Sequence, residues 1–298
     1  MALLKIGSRG SELAMWQARH VARRLAAIGI TAHIEVIKTT GDHLQTASLV
    51  QAGGKGLFTK EIEEALLAGA IDIAVHSLKD LPTESTSGLT IAAIPEREDP
   101  RDALVGRRLE ELSFGARVGT SSGRRAAQLK LLRPDLAIEP IRGNVDTRIR
   151  KLKEGRYHGV MLAVAGLRRL NLEHEIAQIF SPDQICPAAG QGALAIQTRQ
   201  DGDAYSICSP LNDEPTAEAV RCERSALAAL GGGCQLPVGV FAEVVGVALA
   251  ASAVIVSPDG RSVREHVQGA RSEPEELGRV LAKSLLNQGA ADLLSTLA

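Results

Sequence analysis

Aromatic residues are scarce in this chain of 298 residues: one Trp, two Tyr and four Phe make up 2% of it. Modules that bind single-stranded nucleic acid stack bases on such rings, so the composition disfavours this class. The formal net charge of −1 provides no general attraction to nucleic acid or to an anionic membrane surface. We therefore expect neither nucleic acid nor a membrane as a partner.

Cysteine is also scarce, and its spacing disfavours two common uses. The chain has four cysteines, none of them in a C-x-x-C pair: Cys186, Cys208, Cys222 and Cys234. Zinc sites and thioredoxin-like redox sites usually contain such pairs, so we predict no metal site. Reduced thiols in the cytoplasm are the expectation for such a chain.

Long hydrophobic runs and an export signal are missing as well. The longest apolar run, residues 244–256, is shorter than the roughly 20 residues of a spanning helix. The stretch MALLKIGSRGSELAMWQ has no basic region ahead of a sustained apolar segment, so we predict a cytoplasmic protein without an export signal.

Nucleotide-binding motifs are weak or incomplete. GGKGLF lacks the spacing and the hydroxyl residue of a P-loop. The segment GQGALA (190–195) fits a loose dinucleotide-binding pattern, but its apolar part, 193–196, predicts a strand instead of the helix that the pattern requires. Both functions are therefore disfavoured.

Predicted strands and helices alternate along most of the chain, which is typical of a parallel or mixed α/β sheet. The alternation starts again after Asp99-Pro100, and the last part has an α+β pattern. We predict an α/β fold with two lobes flanking a cleft and a smaller α+β C-terminal domain. The predicted domains are 1–97 with 191–214, 98–190, and 215–298. The predicted helices begin after Ser11 and also cover 59–68, 123–132, 145–154, 218–230 and 273–288.

Arginine outnumbers lysine 25 to 9. A GC-rich genome can produce this bias, but guanidinium groups also suit carboxylates and phosphates. Three segments place an Arg at a predicted strand end beside a Gly and a capping residue: SRGS (8–11), VGTSSGRRAAQ (118–128) and IRGNVDTR (141–148). Helix N-termini and strand C-termini in α/β folds both bind anions, so we predict a cleft that binds a multivalent anion.

A carboxylate follows another predicted strand, in HSLKDLP (76–82). Asp80 is either a salt-bridge partner of the arginines or a group that offsets positive charge on a substrate. His76 is interpreted as a hydrogen-bonding residue and not as a base.

A single thiol lies on the bare loop LGGGCQLPVG (230–239). Cys234 there is a candidate covalent anchor or redox sensor, whereas Cys186 and Cys222 are predicted to be buried.

Ten segments in order carry a resemblance to one enzyme family. The chain resembles the porphobilinogen deaminase (hydroxymethylbilane synthase) family from Ile6 to about Glu243. The segments are IGSRGSELAMWQA, KTTGD, GGKGLFTKEIEEALL, DIAVHSLKDLP, AIPEREDPRDALV, GTSSGRRAAQL, IRGNVDTRIRKL, LAVAGLRRL, PAAGQGALAIQ and ERSALAALGGGCQLPVG.

The resemblance implies an activity and a cofactor. Members hold a dipyrromethane cofactor through a thioether, here to Cys234, and add four porphobilinogen molecules to it with loss of ammonia. Hydrolysis then releases 1-hydroxymethylbilane for tetrapyrrole and heme biosynthesis. Each pyrrole carries an acetate and a propionate, which fits the predicted anion site. The resemblance also implies a monomer, with possible transfer of product to the next enzyme. The first two predicted domains, 1–97 with 191–214 and 98–190, would resemble the two lobes of periplasmic binding proteins.

Residue roles follow the matching motifs. The resemblance makes Asp80 the catalytic residue, because loss of ammonia leaves a positive charge that a carboxylate stabilises. It assigns cofactor binding to Cys234, Lys79, Asp80, Ser121, Arg124, Arg125 and Arg142. It assigns substrate binding to Arg9, Ser11, Arg148, Arg169 and Gln191. Residues 39–57 match a mobile segment near the cleft, and Phe58 is expected to pack near the growing chain.

Two alternatives and two departures stay open. A two-lobed, non-catalytic binding protein for a polycarboxylate metabolite would also explain the arginines, and a redox sensor would explain Cys234. Gly123 and Asp146 differ from the residues that many or some members carry there.

Overall fold

The structure, a computed structural model, describes residues 3–39, 59–232, 236–257 and 259–295. The chain divides into two compact units. Unit 1 comprises Met1–Arg97 and Ala193–Ala217, and unit 2 comprises Glu98–Gly192 and Glu218–Ala298. None of the helices in the described ranges is long and apolar enough to cross a membrane. The three-domain division made from the sequence stays a prediction.

Strands and helices are numbered along the chain. The strands are β1 (Leu4–Ser8), β2 (Ala32–Val36), β3 (Ile73–Ser77), β4 (Leu89–Ala93), β5 (Asp102–Val105), β6 (Arg117–Gly119), β7 (Ala137–Glu139), β8 (Gly159–Ala163), β9 (Ile176–Ile179), β10 (Leu194–Arg199), β11 (Val238–Val245), β12 (Ala248–Val256) and β13 (Ser262–Ala270). The α-helices are α1 (Glu12–Ala27), α2 (Lys60–Leu67), α3 (Gly123–Leu132), α4 (Val145–Lys153), α5 (Val164–Arg169), α6 (Asp203–Cys208), α7 (Glu214–Ala229), α8 (Pro274–Leu285) and α9 (Ala291–Ser295). Short 3-10 turns cover Leu78–Asp80, Leu109–Glu111, Glu173–Glu175 and Ser209–Leu211, and a π-helical turn covers Leu286–Ala290.

Unit 1 is built around a mixed five-stranded sheet with the order β2-β1-β3-β10-β4. Strands β1, β2 and β3 are parallel, whereas β10 runs antiparallel to both of its neighbours. Apolar side chains of the central strands pack against α1, with Ile6, Leu25, Ile73 and Ile196 all fully buried. Residues 73–76 of β3 and 194–198 of β10 are all buried, so both faces of these two strands are covered.

Unit 2 contains a second mixed five-stranded sheet, with the order β7-β6-β8-β5-β9. Here β6, β7 and β8 are parallel, and β5 runs antiparallel to β8 and β9. In each sheet three parallel strands lie side by side, β2-β1-β3 in unit 1 and β7-β6-β8 in unit 2. An antiparallel strand, β10 or β5, then lies between the third parallel strand and the edge strand, β4 or β9. The two sheets therefore share one topology, although no internal sequence repeat is visible.

The remaining sheet of unit 2 is the antiparallel meander β11-β12-β13. One face packs on α7 and α8, where Val240 and Leu249 meet Cys222 and Leu281. The other face of β12 also packs inside unit 2, since Val254 contacts Cys186. Burial on both faces explains the long apolar run around β12. The mixed α/β class with a smaller α+β C-terminal part is thus confirmed.

Most predicted elements are confirmed within a few residues. Ile28 follows Val21 and Leu25 at helical spacing, which predicts a position on their buried face, but Ile28 is 47% exposed. The prediction is wrong because α1 ends at Ala27: Ile28 is the C-cap residue, and Gly29 with its positive φ of 81° turns the chain away. Strands β9 and β13 and helices α5 and α6 were not predicted.

Close packing of α7 and α8 requires Gly278. A Cβ atom at this position would lie 2.3 Å from the carbonyl oxygen of Cys222 and 2.9 Å from the amide nitrogen of Ala226. We expect Gly278→Ala to destabilise unit 2 by about 2–3 kcal/mol, because backbone atoms of α7 would have to move. Urea unfolding measures this as a lower midpoint. Gly202→Ala is the matched control: a Cβ atom there would lie 3.7 Å from its nearest neighbour, and the loss of an N-cap glycine is expected to cost at most about 1 kcal/mol. Equal midpoints for the two variants would contradict the prediction.

Candidate active site

Four predicted site residues lie at one edge of the unit 1 sheet. Because β1 and β3 are parallel, their carboxyl ends point to the same edge. Arg9 and Ser11 follow β1, and Lys79 and Asp80 follow β3. The hydroxyl of Ser11 accepts a hydrogen bond from the Ala14 amide at 3.4 Å, which confirms its predicted role as the cap of α1. This edge therefore presents two cations, a hydroxyl group and a carboxylate.

The side chain of Asp80 is exposed, whereas the backbone of the turn that carries it is held in place by buried contacts. The side chain of Leu78 is fully buried, and its amide donates to the carbonyl of Ala193 at 3.0 Å. The amide of Leu81 donates to the carbonyl of Leu78 and closes the 3-10 turn. The backbone is thus fixed while the Asp80 carboxylate stays accessible to a ligand.

In unit 2 the turn between β6 and α3 also follows a strand end. Ser122 caps α3 by accepting from the Arg125 amide at 3.4 Å, so the predicted strand, turn and helix are all confirmed. Ser121, a predicted cofactor residue, donates from its hydroxyl to the Ile141 carbonyl at 2.8 Å and accepts from the Ile141 amide at 3.1 Å. Ser121 therefore ties the end of β6 to the segment that follows β7.

The two neighbouring arginines of α3 are buried on an acid that the sequence did not single out. Arg124 is 5% and Arg125 is 6% exposed. Nη1 of Arg124 lies 2.7 Å from Oδ2 of Asp102, and Nη2 of Arg125 lies 2.7 Å from Oδ1. The two guanidinium groups and the one carboxylate carry a net charge of one positive unit. Sequence reasoning missed Asp102; its only signal was an acid at the head of the apolar strand DALV.

Asp102 stays ionised in this cluster. Burial raises the pKa of its carboxyl group, but the charges of Arg124 and Arg125 and hydrogen bonds from Arg124 and Gln191 outweigh burial. The pKa therefore lies below its ordinary value. A lowered pKa means that the carboxylate contributes stability at neutral pH, which is lost only in strong acid.

Gln191 joins the same cluster through a tight turn. Its Nε2 donates to Oδ1 of Asp102 at 2.9 Å and to the carbonyl of Pro100 at 2.6 Å. The flanking Gly190 and Gly192 have φ values of 73° and 88°, and a Cβ on Gly192 would lie 2.2 Å from the carbonyl oxygen of Glu98. Glycine adopts such positive φ values without steric strain, so both positions favour glycine, and the close approach of Glu98 is a second reason at Gly192. The turn is followed by strand β10 and not by a helix, which argues against dinucleotide binding.

Arg169, at the end of α5, is 6% exposed and donates from Nη2 to the carbonyl of Gly192 at 2.6 Å. Burial lowers the pKa of its guanidinium group to about 10, and the nearby charge of Glu98 opposes this. Arg169 is therefore still cationic at neutral pH.

Arg142 and Arg148, predicted to bind anions, are half-buried around the start of α4. Nε of Arg148 donates to the carbonyl of Gly143 at 2.8 Å, and Lys151 donates to the carbonyl of Arg142 at 2.9 Å. Asn144 is the N-cap residue of α4, but within the described residues its side chain makes no capping hydrogen bond. Each of the three segments thus places a capping residue before its helix, and the side chains of Ser11 and Ser122 make the capping hydrogen bond.

Three of the cysteines are buried, as predicted for two of them. Cys186, Cys208 and Cys222 are each 0% exposed, and burial raises the pKa of each thiol to about 12. Buried thiols with raised pKa values are poor nucleophiles. Cys234 lies outside the described residues, as do Phe58 and residues 40–57 of the segment predicted to be mobile.

His76 accepts or donates one buried hydrogen bond, between its Nε2 and Oε1 of Gln197 at 3.0 Å. The prediction that it is a hydrogen-bonding residue is confirmed. Burial lowers the pKa of its imidazole to about 4, although the bond to Gln197 opposes this. His76 is therefore neutral at pH 7.

The lowered pKa predicts a pH dependence of stability. Between pH 6.5 and 4 the unfolded chain binds a proton at this imidazole and the folded chain does not, so acidification favours unfolding. We expect His76 to contribute a loss of up to about 3 kcal/mol across this range. Urea unfolding at pH 7 and at pH 5 measures the loss, which should shrink in His76→Gln. His33→Gln, at an exposed histidine of β2, should retain the full loss; equal losses in both variants would contradict the assignment.

Comparisons with known proteins match nearly the whole chain. Residues 4–206 match the family model described as "Porphobilinogen deaminase, dipyromethane cofactor binding domain", and residues 217–287 match the model of the porphobilinogen deaminase C-terminal domain. Among solved structures, a periplasmic substrate-binding protein of an ABC transporter from Coxiella burnetii is 13% identical. The match covers 74% of this chain and 97% of the other chain, with a TM-score of 0.44.

Curated relatives named porphobilinogen deaminase are similar over their full lengths. One from Roseiflexus sp. (strain RS-1) is 48% identical and covers 98% of both chains. One from Syntrophomonas wolfei is 48% identical over 99% of this chain and 98% of its own, and one from Thermus thermophilus is 47% identical over 99% of both. The resemblance predicted from the motifs is confirmed: the chain belongs to the porphobilinogen deaminase family of transferases, the enzymes of tetrapyrrole biosynthesis.

Proposed function

We propose that this chain joins four porphobilinogen molecules head to tail onto a dipyrromethane primer, with loss of ammonia, and then releases 1-hydroxymethylbilane by hydrolysis. The observation that carries the proposal is the match of residues 4–206 to the family's cofactor-binding domain. A non-catalytic binding protein for a polycarboxylate metabolite, the alternative, is not favoured by the family membership.

The charges of the described residues fit a dipyrromethane. Each of its two rings carries an acetate and a propionate group, so the cofactor is a polyanion. Unit 1 offers Arg9 and Lys79 at its sheet edge, and unit 2 offers the guanidinium groups of Arg124 and Arg125 beside Asp102. When bound, the dipyrromethane supplies the pyrrole position to which the first substrate is joined.

We assign the covalent attachment to Cys234. The three described thiols are buried and have raised pKa values, so none of them is suited to bond formation with a pyrrole. The remaining thiol is Cys234, on the glycine-rich loop that matches the family's cofactor loop.

Asp80 is the proposed catalytic residue. Its exposed carboxylate, on a turn whose backbone is fixed, can accept hydrogen bonds from pyrrole N–H groups and stabilise the positive charge that develops when ammonia leaves porphobilinogen. A fixed carboxylate needs little reorganisation during the reaction, so its full charge acts on the transition state.

The acidic arms of the primer and of the substrates are assigned to cations and polar groups. Guanidinium groups bind carboxylates through two parallel hydrogen bonds, which suits acetate and propionate. The proposed cofactor-binding residues besides Cys234 and Asp80 are Lys79, Ser121, Arg124, Arg125 and Arg142. The proposed substrate-binding residues are Arg9, Ser11, Arg148, Arg169 and Gln191.

The remaining assignments are a cytoplasmic monomer of three domains, 1–97 with 191–214, 98–190 and 215–298, that can pass its product to the next enzyme. Sedimentation analysis of the purified chain tests the monomer.

Two measurements on the purified chain test the function. Ammonia release from porphobilinogen distinguishes an enzyme from a binding protein. Intact mass after folding with porphobilinogen should exceed the sequence mass by two pyrrole units. A chain that binds porphobilinogen, releases no ammonia and keeps its plain sequence mass would reject the proposal.

A further inference from the structure

A buried carboxylate connects three of the residues assigned to anion binding. Asp102, at the start of β5, is 0% exposed, and both of its oxygens are used. Oδ2 accepts from Arg124, and Oδ1 accepts from Arg125 and from Gln191. We infer that Asp102 is a positioning residue that orients Arg124, Arg125 and Gln191 for the carboxylates of the pyrrole chain, an inference that rests on the proposed function.

Burial strengthens the pairing within the cluster. A buried charge is costly unless an opposite charge accompanies it. Arg124 and Arg125 are 5% and 6% exposed and Asp102 is fully buried, so loss of the Asp102 charge would take their shared carboxylate from both guanidinium groups. A change at Asp102 should therefore act directly on both arginines.

The arginines are also held in defined orientations. Nη1 of Arg124 donates to the carbonyl of Cys186 at 2.5 Å as well as to Asp102. Nη1 of Arg125 donates to the carbonyl of Met161 at 3.3 Å, on strand β8, while its Nε donates to Asp102 at 2.9 Å. Each guanidinium group is thus held by Asp102 and by a backbone carbonyl. Such fixation removes the rotamer entropy that a flexible arginine loses when it binds an anion.

The same carboxylate links two distant segments. Arg124 and Arg125 lie in the first turn of α3, whereas Gln191 lies in the glycine turn before β10. Their common partner is Asp102, which is 22 residues before Arg124 and 89 residues before Gln191 in the sequence. A change at Asp102 should therefore affect all three residues without removing any of them.

The loading of cofactor-free protein tests this role without measuring turnover. The chain is purified from cells that make no porphobilinogen and is then titrated with porphobilinogen. Intact mass gives the concentration at which half of the molecules gain two pyrrole units. For Asp102→Asn we expect this concentration to rise at least about tenfold, because an amide preserves the shape but cannot hold two guanidinium groups. The Michaelis constant of loaded molecules should rise more than their turnover number falls.

Asp99→Asn is the matched control. Asp99 also pairs with arginine, at 2.7 Å to Arg101, and its side chain is 7% exposed. Asp99 forms ion pairs with Arg101 and Arg168, which lie outside the cluster. We expect its half-loading concentration to stay within about twofold of the unchanged protein. A purely structural role of Asp102 would lower the thermal midpoint but leave the half-loading concentration of the folded fraction unchanged.

A charge-conserving variant decides the case if Asp102→Asn does not fold. The double variant combines Asp102→Asn with Gln191→Glu, so the carboxylate moves from position 102 to position 191. There it lies beside Arg125, whose Nη2 is 3.3 Å from Oε1 of Gln191 in the unchanged protein. Arg124 then faces the amide at position 102 instead of a carboxylate. Gln191→Met measures what position 191 contributes alone. We expect the double variant to need at least about fivefold more porphobilinogen than Gln191→Met.

The outcomes separate the two proposals. Failure of the unchanged protein to gain mass would overturn the proposed function. Loading of the unchanged protein together with normal half-loading of folded Asp102→Asn would overturn the positioning role. If that variant is unfolded, a double variant that loads as well as Gln191→Met would overturn it.

Discussion

Asp80→Asn is expected to reduce the turnover number by about 10²–10³-fold, the range found when one electrostatic contact to a transition state is removed. The asparagine has nearly the same shape, and the turn beneath it is anchored by the buried Leu78 and its hydrogen bond to Ala193. The fold should therefore persist, while the negative charge that opposes the developing cation is lost. Steady-state ammonia release from fully loaded protein measures the effect.

Glu84→Gln is the control for this change. Glu84 is an exposed carboxylate four positions further along the chain, so the substitution removes an equal charge close to Asp80 in the sequence. We expect a rate within about twofold of the unchanged protein, because exposed charges at a distance are largely screened. Equal rates for the Asp80 and Glu84 variants would remove Asp80 from the catalytic role.

Cys234→Ser is expected to abolish covalent loading altogether. A serine hydroxyl is a much weaker nucleophile than a thiolate, and the other thiols that the structure describes are buried. Intact mass after incubation with porphobilinogen should equal the sequence mass. Ammonia release should fall to background, since no primer is held for chain growth.

Cys208→Ala separates this effect from a general loss of thiol. Cys208 lies in the core of unit 1, and burial raises the pKa of its thiol to about 12. This variant should gain two pyrrole units like the unchanged protein, with only a modest cost in stability. Loading of the Cys234 variant, or loss of loading in the Cys208 variant, would place the attachment elsewhere.

Local signals in the sequence predicted the parts of the site that local interactions form. Helix α3 has its predicted bounds of 123–132, because Ser122 is an N-cap within the same short segment. The carboxyl ends of β1 and β3 were likewise predictable, since a strand followed by a capping residue or a turn is a contiguous pattern. Ser11 and Asp80 were found in this way.

Partners distant in sequence were not predictable from such patterns. Arg124 and Arg125 were predicted as ligands for an external anion, and their internal partner, Asp102, becomes visible only when β5 is placed beside α3. Strand β13 was missed because its segment, SVREHVQGA, carries charges on an exposed face and, among the strands that the structure describes, pairs with β12 alone. In both cases the deciding information is tertiary contact, which outweighs local propensity.

The placement of β10 in the middle of the first sheet has a consequence for synthesis on the ribosome. Strand β4 pairs with β10, which also pairs with β3, so β4 is joined to β3 through a strand made much later. Roughly 100 residues separate β4 from β10, which at 5–20 residues per second corresponds to about 5–20 seconds of translation. During this interval the position between β3 and β4 is still empty, so the nascent chain exposes the edges of both strands. Chaperones, or premature release of the chain from the ribosome, should therefore have their greatest effect on yield at this stage.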